Sequence, residues 1–154
     1  YGPRQNPHGE AGVVAIFLGR LQSGEQCRIF GDGSQSRDYV FVGDVAKVNL
    51  YFLDHPENSG IFNLGSGRAQ SFNDVAVAAV NGCRKAKSEA PLSLDELRAQ
   101  GLLEYVAFPE ALKGKYQAFT QGDLTRLRDA GYVVPMATVE EGVSQYIEWL
   151  HKNV

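Results

Sequence analysis

Short apolar runs that alternate with helical-period segments predict an α/β fold, or an α+β one. Three observations carry that prediction. Capping boxes begin at Ser71, Ser93 and Thr138, and each opens a helix. Runs such as Cys27 to Phe30 and Ile61 to Leu64 are short, apolar and bounded by turn residues. The 154 residues are 44% apolar and 21% charged, which suits one globular domain with a real core.

Tyr1 to Gly12 is polar and rich in Pro and Gly, and is read as a loop. Val13 to Gln22 is read as a helix, because Val13, Val14, Phe17, Leu18 and Leu21 share one face. Ser23-Gly24 ends it. Cys27 to Phe30 is a strand that leads into the polar loop Gly31-Asp32-Gly33-Ser34-Gln35. Tyr39 to Val42 is a short extended run. Asp44 is placed as the cap of a helix that reaches about Leu53 and stops at His55-Pro56. Glu57 to Gly60 is a turn and Ile61 to Leu64 a buried-type strand. Gly65-Ser66-Gly67 is a tight strand-to-helix turn. It invites a dinucleotide-fingerprint reading, but Gln70 stands where the third Gly belongs.

The helix capped by Ser71 runs to about Arg84, with Val75, Ala79 and Val80 inward. Lys85 to Leu92 is a polar linker, and Ser93 caps a short helix to about Gln100. Leu103 to Phe108 is a strand that Pro109 ends. Ala111 to Gln121 is irregular and brings Lys113, Lys115 and Tyr116 together. Asp123 to Ala130 is a short helix closed by Gly131. The last helix carries Val139, Val143, Tyr146, Ile147 and Leu150 as one stripe.

Several function classes are excluded by what the chain carries. A net charge of −3 gives no footprint for nucleic acid. No apolar run is long enough to span a membrane. Cys27 and Cys83 form no CxxC, and His8, His55 and His151 share no metal-type spacing, so no metal site is expected. There is no GxSxG, HExxH or Walker loop. Glu140-Glu141 is the negative first turn of a helix, and His151 lies in its last turn, where a cation suits the dipole. The chain opens on Tyr1-Gly2-Pro3-Arg4 with neither an initiator Met nor a signal peptide. It is expected to be the middle of something longer.

What remains is a binding surface around residues 31–45. Gly31 and Gly33 let the backbone approach a ligand, and its amides can meet a diphosphate. Arg37 carries a planar fork suited to phosphate. Phe30 can cover a base or ribose, while Arg37, Lys113, Lys115 and Tyr116 can clamp charge and hydroxyls. A surface hairpin with a solvated Arg fits the composition equally well, so both readings stay open here.

A family resemblance adds to this. Tyr1-Gly2-Pro3-Arg4, Phe30-Gly31-Asp32-Gly33, Arg37-Asp38-Tyr39-Val40-Phe41-Val42-Gly43-Asp44-Val45-Ala46 and Phe62-Asn63-Leu64-Gly65-Ser66-Gly67 resemble the extended short-chain dehydrogenase/reductase superfamily. Its members are NAD(P)-dependent nucleotide-sugar epimerases and dehydratases. The likeness covers nearly the whole chain, as the C-terminal, substrate-binding half of such a Rossmann-type enzyme. The stretch from Leu112 to Leu124, with Ala130-Gly131-Tyr132 and the final helix, resembles the ADP-L-glycero-D-manno-heptose 6-epimerase family, which serves lipopolysaccharide synthesis. The first segment, Gln5 to Phe17, resembles the UDP-glucose 4-epimerase branch instead.

The resemblance implies a mechanism for the complete enzyme. A sugar carbon gives hydride to NADP (or NAD), and the planar keto intermediate is re-reduced on its other face. It implies substrate contacts from Phe30, Gly31, Asp32, Gly33, Arg37 and Tyr116. His8 stands at about the place of a Lys that the heptose family uses in catalysis. The cofactor fingerprint and the Tyr-x-x-x-Lys pair belong to the half not present, since no tyrosine here has Lys four residues on. The chain alone is therefore expected to bind no cofactor tightly and to be inactive. The implied partner is a nucleotide-diphosphate sugar, in a cytoplasmic homo-oligomer. Two rival readings remain: a UDP-glucose 4-epimerase, and a non-catalytic binding or oligomerisation module.

Overall fold

The structure is a computed structural model and describes residues 1–5 and 12–153. Helix α1 (Val13–Gln22) and strand β1 (Cys27–Phe30) fall where the apolar stripe and Ser23-Gly24 place them. Strand β2 is Ser36–Asp38 and helix α2 is Val42–Asp54. Strand β3 is Ala69–Ser71, α3 is Phe72–Ala86 and α4 is Leu94–Ala99. Strand β4 is Leu103–Val106, and a 3-10 turn follows at Glu110–Leu112. Helices α5 (Thr125–Asp129) and α6 (Val139–Asn153) complete the chain.

Two small sheets frame the molecule. β1 pairs with β4 in parallel, with Cys27 opposite Leu103 and Phe30 opposite Val106. β2 pairs with β3 antiparallel, with Ser36 opposite Ser71 and Asp38 opposite Ala69. Helix α3 packs between α1 and α6. Phe17, Ile29, Val75, Leu97 and Val143 fill the main core, each at most 1% exposed. A second, smaller cluster joins α2 to α5 through Val48, Leu127 and Tyr132.

The capping boxes form as the spacing predicts. Ser71 and Asp74, then Ser93 and Glu96, exchange side chain and backbone hydrogen bonds. Thr138 Oγ1 accepts from the Glu141 amide at 3.2 Å, and Glu141 accepts from the Thr138 amide at 2.9 Å. Each box satisfies donors that a helix N-terminus leaves unpaired.

Four local expectations are corrected. Ile61 to Leu64 is not a strand: no neighbouring edge pairs with it among the described residues, and Ile61 is 84% exposed. Phe62 instead stacks on Phe52, and the Asn63 amide group donates to the Asp123 carbonyl. Asp44 is not a helix cap. It lies inside α2, is 1% exposed, and accepts from the Ala137 amide at 2.7 Å and from Lys47 at 2.8 Å. It therefore ties the approach to α6 down onto α2. The paired strand is Ser36–Asp38, because β3 offers partners to those residues; of the run Tyr39 to Val42, Phe41 is extended but Val42 already opens α2. Gly65-Ser66-Gly67 consequently leads into β3 and not directly into a helix.

Candidate functional site

Strand β1 alternates. Cys27 and Ile29 are fully buried in the core, so Arg28 and Phe30 point the other way. There they help wall a cleft of about 650 Å³, a volume within the usual range of small-molecule sites, about 300–1,000 Å³. Val13, Ile16 and Arg20 of α1 form the facing wall. Arg37, Tyr39, Phe72 and Tyr116 close the remaining side.

The aromatic groups hold one another in place. Phe30 meets Phe108 edge-on at 6.2 Å, and Phe108 meets Tyr116 edge-on at 5.1 Å. The Arg37 guanidinium stands 5.0 Å from the Tyr116 ring centre and 5.9 Å from that of Phe72. One of its arms donates to the Ser36 carbonyl at 2.8 Å. Its plane is thus oriented before any ligand arrives.

The Gly31–Gly33 turn is bonded within the protein. Asp32 accepts from the Ser34 amide at 2.9 Å and from the Ser34 hydroxyl at 2.6 Å, which lowers its pKa. Asn73 donates to the Asp32 carbonyl, and the Asn73 amide donates to the Gly33 carbonyl. Gly33 has φ +76°, and a Cβ there would fall 2.3 Å from the Asn73 side-chain oxygen, so no larger residue fits. The Gly31 amide donates to Val106. Gly31, Asp32 and Gly33 therefore sit beside the cleft, and the residues at the two ends of the loop, Phe30 and Arg37, reach its wall.

Between Arg37 and Tyr39, Asp38 also lines the cleft, but its carboxylate is held within the protein. It accepts from the Ser66 amide and hydroxyl, both at 2.6 Å, and from the amides of Gly67 and Gly122, both at 2.9 Å. Gly65 must be bare for this, since a Cβ would lie 2.5 Å from the Asp38 oxygen. Ser36 also bridges to the segment of Tyr116: its amide donates to Ala118 at 2.9 Å and its carbonyl accepts from Thr120 at 3.1 Å. Arg37 and Tyr116 thus ride on one stitched unit. The Gly65–Gly67 turn fails the test for a dinucleotide site, because the Ser66 and Gly67 amides already serve Asp38.

Lys113 and Lys115 do not join the clamp. Lys113 pairs with Glu110, and neither lysine reaches the cleft wall. Arg20 and Arg28 stand on the cleft wall instead. Glu104 holds both, Arg28 at 2.8 Å and Arg20 at 3.5 Å, and the Arg28 hydrogen bond lowers the Glu104 pKa. Three arginines face a cleft in which the Asp38 carboxylate is already saturated with donors, so the site suits an anion. The two-residue period of β1 carries the signal for Arg28, because it shares a face with Phe30. His8 lies outside the described residues.

Residues 1–65 match the NAD dependent epimerase/dehydratase family. The UDP-glucose 4-epimerase of Thermotoga maritima, solved with UDP-glucose, is 33% identical with a TM-score of 0.70; the match covers 99% of this chain and 43% of that one. The UDP-glucose 4-epimerase of Thermus thermophilus, solved with NAD, is 29% identical with a TM-score of 0.69; the match covers 100% of this chain and 44% of that one. The chain has the α/β fold of the extended short-chain dehydrogenase/reductase epimerases and dehydratases. Within it, the chain is 54% identical over 157 aligned residues to the ADP-L-glycero-D-manno-heptose-6-epimerase of Thiobacillus denitrificans, covering 97% of this chain and 47% of that protein. It spans about half the length of the relatives it matches.

Proposed function

We propose that this chain is the substrate-binding, C-terminal part of a nucleotide-diphosphate-sugar epimerase, and that its substrate is ADP-L-glycero-D-manno-heptose. The observation that carries the reading is the cleft: an oriented Arg37 over Tyr116, an aromatic wall at Phe30, and Arg20 and Arg28 beyond it. The 54% identity to the heptose epimerase supports the sugar. Arg37 holds the diphosphate, Phe30 covers the base or ribose, and Tyr116 orients both the guanidinium and the sugar. Gly31, Asp32 and Gly33 act by fixing Phe30 and Arg37.

The Gly65–Gly67 turn has its Ser66 and Gly67 amides committed to Asp38, and in this reading the part's work is to bind and orient the sugar nucleotide. The NADP or NAD on which the family depends belongs, in this reading, to the other half of the enzyme. Alone, the chain is inactive. Self-association belongs to the same reading, and Leu50 and Leu53, 60% and 74% exposed on α2, offer apolar surface for it. Among the described residues no helix is long and apolar enough to cross a membrane.

A second reading, UDP-glucose 4-epimerase, draws on the 33% identity to the Thermotoga maritima enzyme and on the first segment, where His8 stands. The complete enzyme, assayed on ADP-heptose and on UDP-galactose, separates the two. The heptose reading expects turnover of ADP-heptose, with a loss of about 100-fold in kcat for His8→Ala if His8 is the second proton carrier. Good turnover of UDP-galactose with none of ADP-heptose reverses the assignment. No turnover of either leaves the non-catalytic binding module in its place.

A further inference from the structure

We propose that the Tyr39 hydroxyl is a second contact for the ligand's diphosphate, donating to a phosphate oxygen beside the one that Arg37 holds. The inference rests on the reading of the cleft as a sugar-nucleotide site.

Tyr39 lies two residues after Arg37, and both line the cleft, while the carboxylate of Asp38 between them is taken up by Ser66, Gly67 and Gly122. Its ring leans on Phe72 at 6.5 Å, the same ring that Arg37 approaches. The hydroxyl is buried and has no hydrogen-bond partner among the described residues. Native proteins leave few such groups unpaired, and one on the wall of a cleft is satisfied when the ligand enters.

The kind of ligand atom follows from the kind of group. Phosphate oxygens only accept, so they need donors. Burial raises the pKa of the Tyr39 phenol and keeps it protonated, so it arrives with its hydrogen in place. The buried, unpartnered oxygen of Gln35 is an acceptor and cannot serve an anion. The unpartnered hydroxyl of Tyr132 belongs to the cluster with Val48 and Leu127, and is not on the cleft wall. Tyr39 is thus the orphan group whose position and chemistry both suit a diphosphate next to a guanidinium.

The test is Tyr39→Phe in the complete enzyme, which keeps the ring and removes one oxygen. Calorimetric titration uses ADP, UDP and adenosine as probes, and a thermal melt is run on the ligand-free protein. The proposal expects ADP and UDP each to bind about 10-fold more weakly. It expects adenosine, which lacks phosphate, to be unaffected, and the ligand-free Tm to stay or rise because an unpaired buried hydroxyl has gone. Unchanged affinity for both diphosphates overturns the proposal and leaves the cleft reading intact. A fall in the ligand-free Tm also overturns it, since it shows the hydroxyl already bonded within the protein. Failure of the unaltered enzyme to bind ADP or UDP removes the cleft reading and this proposal together.

Discussion

Arg37 and Tyr116 are distant in sequence, yet the guanidinium stands 5.0 Å from the ring centre. The contact exists because Ser36, next to Arg37, hydrogen-bonds to Ala118 and Thr120 on either side of Phe119. Substituting Arg37 separates its charge from its shape. In the complete enzyme Arg37→Ala should raise the substrate KM by the equivalent of roughly 1.5–3 kcal/mol, the worth of a charge-assisted hydrogen bond, and leave cofactor binding unchanged. Arg37→Lys should recover only part, because a point charge replaces a fork. An unchanged KM would mark Arg37 as mere surface.

Asp38 is expected to matter for the position of Tyr116 rather than for contact with substrate. Asp38→Asn keeps the size but replaces one acceptor oxygen with a donor, where three amides and a hydroxyl converge. The loss should be roughly 1.5–3 kcal/mol of stability, read as a lower midpoint in urea. A stability within 0.5 kcal/mol (about the scatter of surface substitutions) would show that the cage is dispensable.

Cys27 gives a pH dependence with a definite sign. Burial is the main cause that pushes its thiol up to about 12 from an ordinary value of 9.0. A raised acid is stabilised in its protonated form by folding. Its contribution is present below pH 9 and is lost as pH rises from 9 towards 12. Tm should therefore decline above pH 9, and less steeply in Cys27→Ala. A thiol reagent at pH 8 should leave Cys27 unmodified until the protein is unfolded. Rapid labelling of native Cys27 would contradict its burial.

The chain by itself should not bind NADP in the micromolar range. Such affinity needs about −8 kcal/mol of contacts, and the Gly65–Gly67 turn has committed its Ser66 and Gly67 amides to Asp38. A fluorescence titration of this chain with NADP checks it. Saturation at micromolar concentration would place a cofactor site within these residues.

Some of this was legible in the sequence, for physical reasons that differ by residue. The bounds of α1 and β1 follow from local signals: a 3.6-residue stripe, a Ser-Gly stop, and a four-residue apolar run. The capping boxes follow in the same way, since both partners lie three residues apart. Ile61 to Leu64 reads as a strand but is not one, because a strand needs an edge to pair with and no local signal supplies that edge. Asp44 carries a capping residue's chemistry, but its partner is the amide of Ala137, which no spacing rule could find. The donors for Asp38 come from Ser66, Gly67 and Gly122, again long-range. Phe30, Arg37 and Tyr116, named from residue type and resemblance, come together on one cleft wall. Lys113 and Lys115 misled, because basic residues near Tyr116 in sequence need not face the same way. Arg28 was within reach, since the period of β1 sets it beside Phe30. Arg20 was not, because only the packing of α1 on the sheet brings its last turn to the cleft.

The central claim is that the cleft between α1, β1 and Arg37 holds the sugar nucleotide. Hydrogen exchange followed by mass spectrometry, on the complete enzyme with and without ADP-L-glycero-D-manno-heptose, tests it most directly. The account predicts slower exchange on binding in two separate segments, the backbone from Arg28 to Tyr39 and the one from Lys113 to Thr120, with little change in α6. Protection that appears elsewhere in this chain and spares both segments would contradict it.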